Sequence, residues 1–385
     1  MNDRGLRRKL WIVAITAVGL ILSSCQSSLE RQETTVFPLL TPAPLVEVKP
    51  VLTRQQITPA NVVAIKELRL FSTNDPHPIA DLRFVKENQE ILAANAFSGW
   101  VQGWGVARGS VTHRVNIGPT SVLGTEFSPD GKWVAVVAGV AKSANEAHLT
   151  SPIKGTSVLS ASTGEVVWQE EASENPWALS YSELAWSGNN LLLASVNSSG
   201  FNVIETTSWK PIKNVVWIEE DFNKKDPPSL VAISFDISGK WIIIGDTAGT
   251  VFAHSLMEFG IQSFPQEAPD PALRVSIGPT NRYIATIGTM RITVWDTLNA
   301  KKWFSDGIHI QSTHPYTPAA DLAFSPDGKL LAVGTKTMWQ IWSVEEGKLL
   351  KEYPQGSYAL TFSPDGRLFA WGDLEGNVHI WGVPD

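Results

Sequence analysis

Residues 323–334 have the sequence AFSPDGKLLAVG, and this stretch decides the fold because the chain repeats it. The phenylalanine ends one apolar stretch, Ser-Pro-Asp-Gly supplies residues typical of a tight turn, and a second strongly apolar stretch follows. The same pattern occurs at residues 126–137 and 361–372. Each copy predicts two β-strands joined by a tight turn.

Weaker copies of the pattern surround four residues that occupy the position of this phenylalanine: Phe84, Trp186, Phe235 and Ile277. The seven copies recur at spacings of 38 to 59 residues, and four of the six spacings lie between 42 and 49. A period of about 40–45 residues with four short strands in each unit is typical of β-propeller blades. The sequence therefore predicts an all-β fold, a seven-bladed β-propeller with four-stranded antiparallel blades.

A third strand follows each pair, and in four units it ends on a tryptophan. The pairs at this position are Trp104-Gly105, Trp295-Asp296, Trp342-Ser343 and Trp381-Gly382. With the Ser-Pro-Asp-Gly turns and the period, they make residues 66–385 resemble degenerate bacterial WD40 repeats. The chain lacks the Gly-His pair of that family, although Asp246 and Asp373 occupy plausible turn positions. The resemblance therefore implies a propeller in which apolar packing between blades replaces much of the family's buried polar network.

The last unit contains only three strands before the sequence ends at Asp385. An unpaired strand edge favours aggregation, so a fourth strand is expected from elsewhere in the chain. The segment Lys66–Phe71, just before the first unit, has the alternation of such a strand. We expect it to complete the last blade and to close a ring of seven blades.

The N-terminus has the pattern of an export signal. Four basic residues precede an uncharged apolar run, Leu10–Leu22, which is shorter than the roughly 20 residues of a membrane-spanning helix. Leu22-Ser-Ser-Cys25 resembles the lipobox of bacterial lipoproteins, which implies cleavage before Cys25 and a lipid anchor on it. An ordinary secretory peptide with an incidental cysteine is the alternative.

These features divide the chain into a lipoprotein signal peptide (residues 1–24), a lipidated cysteine with a proline-rich flexible tether (25–56) and the propeller (57–385). Thr58 and Pro59 predict a short helix that ends near Ile65. The expected location is extracytoplasmic, with the protein lipid-anchored to a bacterial membrane in the cell envelope.

Charge and cysteine content restrict the partners and the chemistry. The chain has a formal net charge of −7, and because residues 1–24 carry +3, the remainder carries −10. An acidic surface repels phosphate backbones, so no nucleic acid partner is expected. Cys25 is the single cysteine, which excludes an internal disulfide.

The loops predict where binding occurs. In a propeller, the first-to-second and third-to-fourth strand turns lie on one face, and in this chain they are short; the other loops lie on the opposite face, where the long segments gather. Long loops on a rigid scaffold commonly carry binding residues. The candidate binding residues on that face are Trp168, Glu170, Glu171, Trp177, Trp217, Glu219, Glu220, Asp221, His309, His314 and Tyr316.

Two interpretations of these residues stay open. They either form a docking surface for a cationic partner or divalent ion, or they are solvated loop charges beside tryptophans that pack between blades. The acidic segments lack the alternating pattern of a calcium loop, and the two histidines lack further zinc donors at a recognisable spacing. The sequence therefore predicts no metal site.

No catalytic motif is apparent. The chain contains no G-x-S-x-G elbow and no phosphate-binding glycine loop. Ser162–Trp168 resembles the turn of quinoprotein-like propeller repeats, whose relatives include both dehydrogenases and scaffolds without a cofactor. We expect no cofactor and no enzyme activity. The predicted function is a scaffold that binds an unknown protein partner through the face on which the long loops lie. The alternatives are a quinoprotein-like enzyme and a TolB-like component of an envelope complex.

Overall fold

The computed structural model describes most of the chain from Thr53 onwards. The described residues are 53, 55–118, 120–138, 156–170, 183–197, 200–216, 228–257, 260–264, 270–307 and 320–385. They form seven four-stranded antiparallel sheets, so the prediction of a seven-bladed β-propeller is confirmed. Among these residues, no helix is long and apolar enough to cross a bilayer.

The first three blades follow chain order from the innermost to the outermost strand. Blade 1 contains β2 (Ile79–Val85), β3 (Glu90–Asn95), β4 (Trp100–Gly105) and β5 (Val111–Asn116). Blade 2 contains β6 (Thr120–Phe127), β7 (Trp133–Ala138), β8 (Thr156–Ser160) and β9 (Val166–Gln169). Blade 3 contains β10 (Glu183–Trp186), β11 (Leu192–Asn197), β12 (Gly200–Glu205) and β13 (Lys210–Val216).

The next three blades have the same order. Blade 4 contains β14 (Leu230–Phe235), β15 (Trp241–Asp246), β16 (Val251–Ser255) and β17 (Ile261–Phe264). Blade 5 contains β18 (Arg274–Ile277), β19 (Tyr283–Ile287), β20 (Arg291–Asp296) and β21 (Lys301–Gly307). Blade 6 contains β22 (Ala320–Phe324), β23 (Leu330–Thr335), β24 (Trp339–Ser343) and β25 (Lys348–Tyr353).

Blade 7 joins the two ends of the propeller. It contains β26 (Ala359–Phe362), β27 (Leu368–Gly372), β28 (Asn377–Gly382) and, as its outermost strand, β1 (Lys66–Ser72). Strand β1 pairs antiparallel with β28, from Lys66 opposite Gly382 to Ser72 opposite Asn377. The predicted closure of the ring by the N-terminal strand is therefore confirmed.

The repeated turn has a simple hydrogen-bonding basis. In the copy of blade 6, the Ser325 hydroxyl donates to the Asp327 carboxylate (2.7 Å) and accepts from the amide of Leu330 (2.9 Å). Gly328 has a φ of +71°, which favours glycine, and its amide donates to the carbonyl of Ser325. The side chains thus satisfy the turn's backbone amides, which explains why this short motif recurs.

Large aromatic side chains pack between the blades. Trp339 is fully buried and contacts Trp371, Trp381 and Tyr353, with ring centroids 5.3 to 6.0 Å apart. Phe71 of β1 stacks on Trp104 of blade 1 at 5.4 Å, so the closing strand also contributes to the next interface. Apolar packing of this kind occurs at each interface in the described part of the ring.

The predicted helix through Ile65 is shorter than expected. Only Val62–Ala64 forms a single 3-10 turn, and Asn61 rather than Thr58 precedes it. The amide of Thr58 donates to the Asn61 carboxamide oxygen at 2.7 Å. Ile65 is already extended, because the chain enters β1 at the next residue. The pairing of β1 with blade 7 therefore overrides the local helix signal.

Candidate functional site

The innermost strands of the seven blades surround a central channel. Each inner strand contacts the inner strands of the two neighbouring blades, and the ring encloses a cavity of about 360 Å³. Side chains alternate along a strand, so the residues one and three positions before each Phe, Trp or Ile of the repeat face this cavity. The charged residues at these positions are Asp81, Arg83, Glu126, Glu183, Arg274 and Asp321.

One buried ion pair crosses the channel. The Arg274 guanidinium of blade 5 donates through Nη1 to Oε1 of Glu183 in blade 3. The two side chains are only 14% and 9% exposed, so water screens the pair weakly. A second, looser pair joins Arg83 to Glu126, with Nη2 and Oε1 3.8 Å apart.

Three channel carboxylates also join consecutive blades. Asp81 accepts a hydrogen bond from the amide of Phe127 in the next blade at 2.6 Å. Glu183 likewise accepts from Ile233 at 2.8 Å, and Asp321 from Leu360 at 2.7 Å. These side chains therefore fix the spacing of the inner strands as well as the charge of the channel.

Burial raises the pKa of all four channel carboxyls. The pKa of Asp81 rises to about 6 and that of Glu183 to about 7, because burial disfavours the ionised form more than the nearby arginines favour it. Burial also raises the pKa of Asp321, and it raises that of Glu126 well above the usual range. The channel can thus hold or release protons near neutral pH.

The channel has chemistry suited to a polar or cationic group. Four carboxyls face two guanidiniums, so the cluster is anionic when fully ionised. In the described residues, no group of three or more histidine, cysteine, aspartate or glutamate side chains is placed to bind a metal ion. The channel carboxyls therefore suit an organic cation or a hydrogen-bonding side chain.

Four of the six charged channel residues lie toward one mouth. Asp81, Glu183, Arg274 and Asp321 occupy the beginnings of their inner strands, and Tyr358 precedes β26 at the same end. Inner strands begin on the face where blades connect to one another. The described strand ends that flank segments 139–155, 170–182, 217–229, 265–273 and 308–319 lie on that same face. We call it the long-loop face and the opposite one the short-turn face.

Sequence comparison adds no relative to this picture. No known family model matches the chain, and no curated protein matches it either. The propeller fold is thus established by the strand topology, while the WD40 likeness stays a resemblance carried by the repeat motifs.

The structure describes two of the predicted binding residues. Trp168 lies in β9 and stacks on Trp209 of blade 3 at 6.3 Å, and Trp209 in turn meets Trp133 edge-on at 6.2 Å. Trp168 therefore belongs to an aromatic cluster between blades 2 and 3. Glu170 follows β9 and accepts a hydrogen bond from the Asn202 carboxamide at 3.3 Å. The other predicted residues lie outside the described part of the chain: Glu171, Trp177, Trp217, Glu219, Glu220, Asp221, His309, His314 and Tyr316.

The channel residues were missed by the analysis of the sequence, although a signal for them exists. Asp81, Glu183 and Asp321 each lie three residues before the repeat's aromatic residue, and Arg274 occupies the same place in blade 5. Charge recurring at one position of an otherwise apolar inner strand indicates a shared polar surface. Aligning the repeats by that position would have revealed the channel.

Proposed function

We propose that the protein is a membrane-anchored extracytoplasmic scaffold that binds a protein partner on its long-loop face. One observation carries this proposal: the charged channel mouth opens on the same face as the strand ends that flank the long segments. A rigid ring with charge at the centre and long segments around it offers one continuous recognition surface.

The proposed anchor rests on the N-terminal motif. The basic residues, the apolar run Leu10–Leu22 and the sequence Leu22–Cys25 together fit export and lipidation of Cys25. Lipid chains on Cys25 would hold the propeller at the membrane, and residues 26–56 would act as the tether. More than one acyl chain is needed for stable attachment.

The charge at the channel mouth supports a cationic partner. The channel mouth has three carboxyls, those of Asp81, Glu183 and Asp321, and one guanidinium, that of Arg274. Tyr358 adds a phenol at its rim. A lysine or arginine side chain of the partner that enters the mouth would meet the carboxyls of Asp81, Glu183 and Asp321. Such complementarity raises specificity and the rate of association more than it raises affinity.

The long segments provide the test of this function. Replacing residues 139–155 and 308–319 with short turns should abolish recovery of the partner from native membranes. The unfolding transition of the protein should not change. The matched control is a variant that keeps both segments and carries a substitution at Lys240 on the short-turn face. Partner recovery by the loop-replaced protein at the level of the unaltered protein would contradict the proposal.

A small-molecule function is a second candidate because the channel cavity is polar and about 360 Å³ in volume. Ligand pockets span roughly 300–1,000 Å³, so a small polar ligand would fit. An absorbance spectrum and a metal assay on purified residues 53–385 distinguish the two candidates. A bound chromophore or metal would favour the quinoprotein-like alternative over the scaffold.

A further inference from the structure

The segment that leads into β1 is docked on the end of blade 7. The Thr53 hydroxyl donates to the carbonyl of Val383, and the Gln56 carboxamide donates to the carbonyl of Asp365 at 3.1 Å. The amide of Ile57 donates to the carbonyl of Gly366 at 2.8 Å, and the Ile57 side chain is only 3% exposed. The segment 53–57, at the end of the predicted tether, therefore contacts the propeller.

All three docking partners lie on the short-turn face. Asp365 and Gly366 form the turn between β26 and β27, and Val383 follows the end of β28. In an antiparallel blade, the first-to-second strand turn and the end of the third strand lie on the same side. The chain from the N-terminus thus reaches the propeller on the face opposite the channel mouth.

The short-turn face carries side chains that suit a lipid headgroup region. Six of its seven first-to-second turns contain a lysine or arginine: Lys86, Lys132, Lys240, Arg282, Lys329 and Arg367. Four of the six cations pair with carboxylates, Lys86 with Glu90, Lys132 with Asp130, Arg282 with Asp296 and Lys329 with Asp327, so the face is mixed in charge although the whole propeller is acidic. Exposed aliphatic side chains lie among the cations: Val63 (64% exposed), Leu191 (48%) and Ile237 (48%).

We propose that the short-turn face lies against the membrane surface, so that the channel mouth and the long-loop face point away from it. This inference rests on the proposed lipid anchor at Cys25, because the docked segment fixes only where the tether meets the propeller. The tether alone sets a maximum distance. The exposed aliphatic side chains can insert at the bilayer surface, and the turns of mixed charge can contact its headgroups.

Fluorescence energy transfer to labelled lipids tests this orientation in the full-length lipidated protein. Because Cys25 is the single cysteine and its thiol is consumed by the lipid, one introduced cysteine can be labelled selectively. Lys240→Cys places the dye on the short-turn face, and Glu375→Cys places it in the β27–β28 turn on the long-loop face. Both positions are exposed. The two faces lie about 20 Å apart along the axis of the ring, since six residues of strand rise about 3.3 Å each.

In vesicles that contain phosphatidylglycerol, transfer should be clearly stronger from Lys240→Cys than from Glu375→Cys. Adding the charge reversals Lys132→Glu and Lys329→Glu to both labelled proteins should reduce that difference. Equal transfer from the two positions in protein that floats with the vesicles would overturn the orientation and leave the anchor intact. Protein that does not float with the vesicles would overturn the anchor itself, and the orientation with it.

Discussion

Removal of residues 53–72 should convert the propeller into aggregates or larger oligomers. The deletion takes away β1 and exposes the full length of β28, whose backbone groups would then seek another strand. It also removes Phe71 from its stack on Trp104, which opens the interface between blades 7 and 1. Size-exclusion chromatography with light scattering measures the outcome directly.

Two substitutions within β1 separate packing from strand pairing. Phe71 is buried and Leu70 is 54% exposed, although both lie in the same strand. Phe71→Ala should lower the free energy of unfolding by about 3–5 kcal/mol. Leu70→Ala should change it by less than about 0.5 kcal/mol. Equal effects of the two substitutions, or a deletion variant that remains a stable monomer, would contradict the assigned role of β1.

Loss of Arg274 should destabilise the protein strongly above neutral pH and weakly below it. The pKa of Glu183 is raised to about 7 even beside Arg274, so in the folded protein this carboxyl is protonated at pH 5 and largely ionised at pH 8. In Arg274→Met the pKa of Glu183 rises further, because Arg274 lowers it in the unaltered protein, so folding at pH 8 must either protonate this carboxyl or bury an unpaired charge, whereas at pH 5 it is already protonated. Removing one partner of a buried ion pair costs about 3–5 kcal/mol, which is the loss expected at pH 8.

The direction in which stability changes with pH follows from proton linkage. A carboxyl with a raised pKa in the folded state holds its proton to a higher pH than the unfolded chain does. Its contribution to stability therefore falls as the pH rises from about 4.5, and without Arg274 the fall should continue beyond pH 7. Urea unfolding at pH 5 and pH 8 measures the difference.

A double variant provides the control for this prediction. Glu183→Gln combined with Arg274→Met removes both charges and keeps a carbonyl oxygen for the amide of Ile233. It should recover most of the stability lost at pH 8. If Arg274→Met lowers stability equally at both pH values, or if the double variant is no more stable than the single one, the assigned role of the pair is wrong.

The fold could be predicted from the sequence because each blade depends on local signals. The Ser-Pro-Asp-Gly turn specifies its own hydrogen bonds, as at Ser325 and Asp327, and the repeat period then sets the number of blades. The closing strand followed from the unpaired edge that a three-stranded last blade would have left. The turn signal is local in the sequence, and the closing strand follows from the number of strands in each blade.

The channel could not be predicted in the same way because its contacts depend on the closed ring. Glu183 and Arg274 lie in blades 3 and 5, and they meet only across the centre of seven packed inner strands. The predicted length of the short helix was wrong for a related reason, since the pairing of β1 with β28 extends the chain at Ile65. Trp168, which was predicted to lie on the binding face, stacks on Trp209 of the neighbouring blade, and this contact also depends on the folded ring.

Photo-crosslinking from the two faces tests whether the partner binds on the long-loop face. A photoreactive amino acid at Tyr358 would lie at the channel mouth, and one at Lys240 would lie on the short-turn face. In native membranes, we expect a discrete protein adduct from position 358 and none of the same mass from position 240. An adduct formed from position 240 alone, or equally from both positions, would contradict a scaffold that binds its partner on the long-loop face.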